Sequence, residues 1–407
     1  MHKRLLAALA GLWVLPPAFA CSGSGPAASK GSGGTSQSGG QNGSGGSSGS
    51  GAISGSGGTP GSGGSSGSSG ASQAIYEVAM VQSSKELAAD LTASDVAELV
   101  SNAVSMAGGL GLIKDGQTVV LKPNLVSFYE DDGEHTATDT VNGISTDWRV
   151  VKAVADLVRA KNQNGKILVM EGSTFLTVDV YPVLGYTADN FGPSIDEFIG
   201  MEGRACDDTS TSGLDERTGR SGKPYWVRSR YAAADVVIGI PTLATDAWAG
   251  VGLAVESQGI GATPAGQYGG TNSVDCKRTK IDRSTPEAAS AFIRDYYGLR
   301  PADFVVMDGL QGLEHGPLPV WDDSGAYDYA SSKKNMRLIL AGKEAVAVDT
   351  IAALVMKCDP KKVSHLKMLE ADGVGTTDAT KIHLIGKQVA DVAKPFASRQ
   401  ADICPGK

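Results

Sequence analysis

Thr118-Val-Val-Leu-Lys-Pro-Asn124 and Lys166-Ile-Leu-Val-Met-Glu-Gly172 decide the fold. Each is a short, nearly continuous apolar run, too brief for a helix and apolar at alternate and adjacent positions alike. A strand of this kind must be covered on both faces, as in a parallel sheet. Between them Thr146 opens a helix in which Val151, Val154, Ala155 and Val158 share one face, and strand, helix, strand is the parallel crossover unit. Working outward, Ser94 caps a preceding helix running to about Ala107, and Ala234-Asp-Val-Val-Ile-Gly-Ile-Pro241 is a further buried strand. Ser284-Thr-Pro-Glu287 reads as a capping box with proline in the first turn of a helix to about Tyr297. Asp303-Phe-Val-Val-Met-Asp308 and Met336 to Leu340 follow as strands, then a helix from Ala345 to Met356 and another opened by Asp359-Pro360 and stopped near Gly373. The expected fold is α/β, a mixed and mostly parallel sheet with helices on both faces.

The first 74 residues are not part of that domain. His2, Lys3 and Arg4 precede an apolar stretch over residues 5–15 and then Ala18-Phe19-Ala20-Cys21, the layout of a secretory signal. With Cys21 following, it resembles a bacterial lipoprotein signal in which that cysteine receives lipid; Phe19 and Ala18 depart from the usual residues, and plain secretion after Ala20 is the alternative. Residues 21–74 are dominated by Gly and Ser with almost no apolar side chains, so burial cannot offset their ordering entropy and they read as a disordered tether. Residues 75–407 remain as one large α/β domain, with a division into two subdomains left open. Export into the cell envelope, anchored through Cys21, is the expected location, and no later apolar run is long enough to span a bilayer.

Lys3, Arg4 and Lys30 are the only charged residues before Ile75, so the remainder carries 33 Lys and Arg against 44 Asp and Glu. That excess of acid excludes a basic nucleic-acid binder. If Cys21 is acylated, Cys206, Cys276, Cys358 and Cys404 are left, an even number suited to disulfides in an oxidising compartment, with pairing not readable from the chain. Their wide spacing fits neither zinc nor an iron–sulfur cluster. No G-x-G-x-x-G follows a strand, so a dinucleotide site is not expected, and Gly219-Arg-Ser-Gly-Lys-Pro224 lacks the spacing of a P-loop.

In open α/β sheets a ligand sits beyond the carboxyl ends of the strands, which singles out Lys122, Asn124, Glu171, Ser173, Thr242, Asp246 and Asp308. Lys122 interrupts an apolar strand, where a charge is costly unless paired; a site role stands against a salt bridge to Glu171. Asn124 after Pro123 is a ligand contact or a turn former. Glu171, Asp246 and Asp308 are candidate oxygen ligands of a divalent cation, weighed against helix capping. His315, in the Gly-flanked loop Gly312-Leu-Glu-His-Gly-Pro317, is a candidate acid or base. Residues 272–283 read as a surface excursion.

Leu121-Lys-Pro-Asn-Leu125, Ile167-Leu-Val-Met-Glu-Gly-Ser173, Asp235-Val-Val-Ile-Gly-Ile-Pro241, Gly316-Pro317, Ala345-Val-Ala-Val-Asp349, Cys358-Asp-Pro360 and Asp372-Gly-Val-Gly375 stand in the order found in the family called domain of unknown function 362. The resemblance spans about Tyr76 to Gly386. That family is similar to the N-terminal part of lactate racemase-like proteins, and many members carry a ferredoxin-type cluster domain that this chain's cysteines do not reproduce. Where the family reads Pro-Lys-x-Lys-Thr-His, this chain reads Pro241-Thr-Leu-Ala-Thr-Asp246, and a later Lys-Asn is Glu256-Ser257. Lys122, Asn124 and Asp349 persist. The resemblance thus implies a ligand different from the relatives' anion, or none, and a structural Asp349 that orients strand-end groups.

Two functions follow. One is an exported enzyme using Lys122 for electrostatic stabilisation and Glu171, Asp246 or His315 for proton transfer or metal binding on a small polar substrate. The other is a surface-tethered binding protein whose ancestral site has lost its chemistry; a protein partner for it is not specified by the chain.

Overall fold

A computed structural model of the chain describes residues 76–126, 142–317, 320–321 and 327–406. The expected signal, the tether and Cys21 lie outside them. All described residues belong to one unit, Ser68–Lys407.

The chain enters through β1 (Tyr76–Gln82) and α1 (Ala93–Met106), then β2 (Thr118–Pro123), α2 (Trp148–Arg159), β3 (Lys166–Glu171), α3 (Thr177–Val183) and β4 (Glu197–Gly200). A hairpin of β5 (Leu214–Thr218) and β6 (Pro224–Arg228) precedes β7 (Val236–Ile240), β8 (Thr242–Asp246), β9 (Gly250–Gly252), α4 (Ala254–Gly261) and α5 (Pro286–Tyr297). There follow β10 (Phe304–Leu313), the short pair β11 (Val320–Trp321) and β12 (Tyr327–Asp328), β13 (Lys333–Gly342), α6 (Ala345–Val355), α7 (Ser364–Ala371) and β14 (Ile382–Gly386). The main sheet runs β14-β1-β13-β10-β7-β2-β3-β4. Every neighbouring pair is parallel except those made by β13, which is antiparallel to both β1 and β10. This is the mixed, mostly parallel sheet that the apolar runs predict.

Alternation along each strand feeds two cores. Val119 and Leu121 of β2, Ile167 and Val169 of β3 and Ile238 of β7 pack against Val96 and Val100 of α1 and Val151, Val154 and Val158 of α2. On the other face, Val305 and Met307 of β10 and Leu338 and Leu340 of β13 meet Val255 of α4, Ile293 of α5, Ile351 of α6 and Leu366 of α7. Val120, Leu168 and Val237 continue that face under Tyr225 and Val227 of the hairpin. At roughly 1.5–3 kcal/mol for each fully buried side chain of this size, burial on both faces is the dominant stabilising term.

Helix starts differ from expectation by a residue or two, each for a visible reason. Thr92, not Ser94, caps α1, exchanging hydrogen bonds with Asp95 in a capping box. Asp147 caps α2 by accepting from Arg149 N. Ser284 is held by Asp282, so Thr285 caps α5 through Ala288 N and the anticipated box with Glu287 does not form. Asp359-Pro360 opens a single 3-10 turn, Pro360–Lys362, before α7 starts at Ser364.

The segment read as a surface excursion is exposed over much of its length, but it sends Cys276, Arg278 and Ile281 into the interior. The buried charge is tolerated because Arg278 donates to Gly172 O at 2.6 Å, Cys276 O at 3.0 Å, Thr263 Oγ1 at 3.1 Å and Ser173 O. Cys276 is bonded to Cys206 and Cys358 to Cys404, bridging positions 70 and 46 residues apart. Loops of that length place each bridge at about 4 kcal/mol in the chain-entropy account.

Candidate functional site

Lys122 stands one residue before the end of β2, where the parallel register lays β2 beside both β3 and β7. Its ammonium donates to Pro123 O at 2.8 Å and to Glu171 Oε2 at the end of β3, and both side chains are wholly buried. The backbone of α4 closes over them: a Cβ on Gly261 would lie 2.8 Å from Lys122 Nζ and 2.9 Å from Glu171 Oε1. Burial pushes Lys122 down and Glu171 up, each opposed by the other's charge. Among the described residues Glu171 Oε1 has no hydrogen-bond partner. The salt bridge weighed for Lys122 is therefore formed, beneath a helix rather than at an open mouth.

Neighbouring strand ends are cross-braced. Asn124 Nδ2 donates to Thr242 Oγ1 at 3.1 Å and to Ile144 O at 3.2 Å, tying β2 to β8. Ser173 donates from N to Thr177 Oγ1 at 3.0 Å and from Oγ to Val126 O at 3.3 Å. Asp308 accepts from Asp147 N at 2.8 Å and Leu310 N at 3.0 Å; burial, and next the nearby Asp147 charge, push it up to about 7. Glu171, Asp246 and Asp308 do not converge. Among the described residues no three His, Cys, Asp or Glu side chains are grouped to hold a metal ion, so the proposed cation trio is corrected: each carboxylate is spent on a different local partner.

What does converge is a second acid. Asp246 ends β8 and accepts through Oδ1 from Trp248 N at 2.8 Å and Ala249 N at 2.7 Å, which turns the chain tightly into β9 through Gly250 at φ +82°. Only glycine takes that backbone conformation without strain. From β9 the chain enters α4, whose first turn carries Glu256. A Cβ on Gly252 would lie 3.5 Å from Glu256 Oε2 and 3.6 Å from Asp246 Cβ, so the two acidic side chains flank the same small residue. Burial, and next the Asp246 charge, push Glu256 up to about 8, against Arg283 and Lys122. Burial also raises Asp246, against its two N–H donors and then Arg283 and Arg399. Burial thus raises both carboxyls flanking Gly252, and Arg283 opposes the rise in each. Glu256 is partly buried and has no hydrogen-bond partner among the described residues.

Asp349 of α6 sets this geometry. Its two oxygens accept from Ala254 N and Val255 N at 2.9 Å each, capping α4 in the turn that carries Glu256. His315 lies beside β8: its N donates to Ala397 O at 2.9 Å, its φ is +61°, and the next residue's N donates to Thr245 Oγ1 at 3.2 Å. From the sequence Glu256 stands only as a replaced lysine, Arg283 only as the end of the surface excursion, and Arg399 is not singled out. The glycines around Trp248-Ala-Gly-Val-Gly252 were the available signal for Glu256. Nothing local marks Arg399.

The sequence profile of the family described as Domain of unknown function (DUF362) matches residues 119–354. The chain belongs to that family. Among solved structures it is similar to the lactate racemase apoprotein from Thermoanaerobacterium thermosaccharolyticum, at 12% identity and a TM-score of 0.36, covering 70% of this chain and 57% of that one. The match thus spans little more than half of the racemase. No curated protein matches the chain. No helix among the described residues is long and apolar enough to cross a membrane.

Proposed function

We propose that this is an exported, lipid-tethered α/β protein that holds a small polar ligand at the end of β8 and transfers protons to it through Asp246 and Glu256. The observation that carries the reading is the pairing of these two acids across Gly252, with Glu256 unengaged by any hydrogen bond among the described residues. A protonated carboxyl beside an ionised one supplies a general acid and a general base within one site. Asp349 supports the reading by fixing α4, and His315 stands near the same strand end as a further proton carrier. The layout of residues 1–21 and two disulfides suited to an oxidising compartment support export and anchoring through Cys21.

The complete burial of Lys122 and Glu171 favours a second reading, a binding protein without turnover, because the electrostatic stabiliser expected of an enzyme lies under α4. One experiment separates them. Small polar metabolites are incubated with the protein in D2O and followed by proton NMR for exchange, isomerisation or hydrolysis. The enzyme reading expects turnover that Glu256→Gln reduces by roughly 10²–10⁴-fold, the usual worth of a positioned acid or base. Binding with no turnover in the wild type selects the second reading.

A further inference from the structure

The site is finished by a part of the chain that lies beyond the matched residues 119–354, the strap formed by residues 394–406. It is laid down by backbone bonds, Lys394 N to Val355 O and Phe396 N to Met356 O, each at 3.0 Å. Its far end is fastened by Asp359 N to Ile403 O at 2.9 Å and by the Cys358–Cys404 bridge. Between these anchors it crosses the mouth of β8. Ala397 N donates to Glu314 Oε2 at 2.9 Å, Thr245 Oγ1 donates to Ala397 O at 3.1 Å, and Ser398 Oγ donates to Asp246 O at 3.2 Å. Gln400 Nε2 donates to Trp248 O. Arg399 is thus bracketed by two residues bonded to the Asp246 turn, yet its own guanidinium is exposed and makes no ion pair or hydrogen bond among the described residues.

Arg283 approaches from the other side. Its guanidinium lies 5.0 Å from the centre of the Trp248 ring and makes one long hydrogen bond, 3.4 Å to Arg278 O. Neither arginine closes an ion pair with Asp246 or Glu256, although both lie within electrostatic reach of Asp246. The Trp248 ring holds the Arg283 fork, the strap fixes the backbone on either side of Arg399, and the two guanidinium groups keep N–H donors without a carboxylate partner while Arg283 lies within electrostatic reach of both acids and Arg399 of Asp246. Planar guanidinium forks match the paired oxygens of carboxylate, phosphate or sulfate.

We infer that the strap is the specificity element of the site, and that its Arg399, together with Arg283, selects a ligand bearing an oxyanion group. The inference rests on the Asp246–Glu256 site proposed above. The oxyanion docks on the two guanidinium forks while the rest of the ligand meets the carboxyl pair, and the disulfide keeps Arg399 over the mouth.

Calorimetric titration of the full chain at low salt tests it with inorganic phosphate, sulfate and acetate as probes and glycerol as an uncharged control. At least one oxyanion is expected to bind, with Arg399→Gln and Arg283→Gln each weakening it about tenfold, the worth of one charge-assisted contact. Arg399→Lys, which keeps the charge and loses the fork, is expected to fall between. Cys358→Ser with Cys404→Ser is expected to weaken the same oxyanion, the melting curve reporting separately on folding. Which probe binds distinguishes carboxylate from phosphate or sulfate. Oxyanion affinity unchanged in both arginine variants, or no oxyanion binding at all, overturns the inference. Glycerol binding lost in Glu256→Gln under those circumstances leaves the carboxyl-pair site standing, whereas no effect of Glu256→Gln on any bound probe removes both.

Discussion

Lys122 is a buried charge in an apolar strand, and its substitution is costly. Its charge is compensated by one carboxylate, one carbonyl and the more distant Glu256, with Arg278 opposing. Removing one member of a buried pair leaves the other uncompensated, at a cost of about 3–5 kcal/mol, whereas replacing both by apolar groups of similar size is often close to neutral. Lys122→Met is therefore expected to lower stability by about 3–5 kcal/mol, and Lys122→Met with Glu171→Leu to recover most of that. Denaturant titration of Lys122→Met, Glu171→Leu and the double variant checks this; a double variant as unstable as the sum of the singles would show that the pair is not a self-contained unit. The chain already announced the residue, since a lysine in an apolar strand must be paired, and it even named the partner. It did not show that α4 would seal the pair from the mouth, because that depends on Gly261 arriving from 139 positions further along.

At the scale of elements, α4 is the piece whose placement makes the site. It is short, eight residues, and contains two glycines and no strong apolar stripe, so local propensity contributes little to its formation. Asp349 supplies the missing terminus from α6, and α5 closes against Gly259, where a Cβ would lie 2.7 Å from Ile293 Cγ2. Asp349→Ala removes both acceptors from buried N–H groups and is expected to cost about 1–3 kcal/mol. Because α4 also carries Glu256, the variant is expected to bring the Glu256 ionisation down from about 8 toward the ordinary carboxyl range as the helix start loosens and admits water. Carboxyl carbon NMR titration reads this. A destabilised protein with the Glu256 ionisation unmoved would separate the cap from the site.

Across the whole molecule, pH acts through buried groups of opposite sense. His365, fully buried on α7 with neither ring nitrogen hydrogen-bonded, is lowered by burial from 6.5 to about 3. Its neutral form is the folded form, so stability is complete above 6.5 and declines as pH falls through that interval, where the unfolded chain binds the extra proton. Glu256, Asp308 and Asp349 are raised by burial, to about 8, 7 and 7, and act oppositely, losing stability as pH rises from the carboxyl range through those values. His365→Met is expected to lose less stability than the wild type between pH 6.5 and 3, seen as a urea midpoint difference that widens on acidification. Parallel midpoint curves would sink this assignment.

The sequence by itself determined the sheet and its two covered faces, because runs such as Thr118-Val-Val-Leu121 and Lys166-Ile-Leu-Val-Met170 have no stable place except between two layers of helix. It also determined the strand-end positions of Lys122, Asn124, Glu171 and Asp246, since a strand's mouth is a matter of local chain order. Only the tertiary structure decided which of them meet. It sealed Lys122 and Glu171 under a helix, separated the three acids read as metal ligands, paired the four cysteines, buried Arg278, and brought Glu256, Arg283 and Arg399 to one turn. Those outcomes rest on contacts between residues tens to more than a hundred positions apart, and local pattern carries no information about distances that only packing closes.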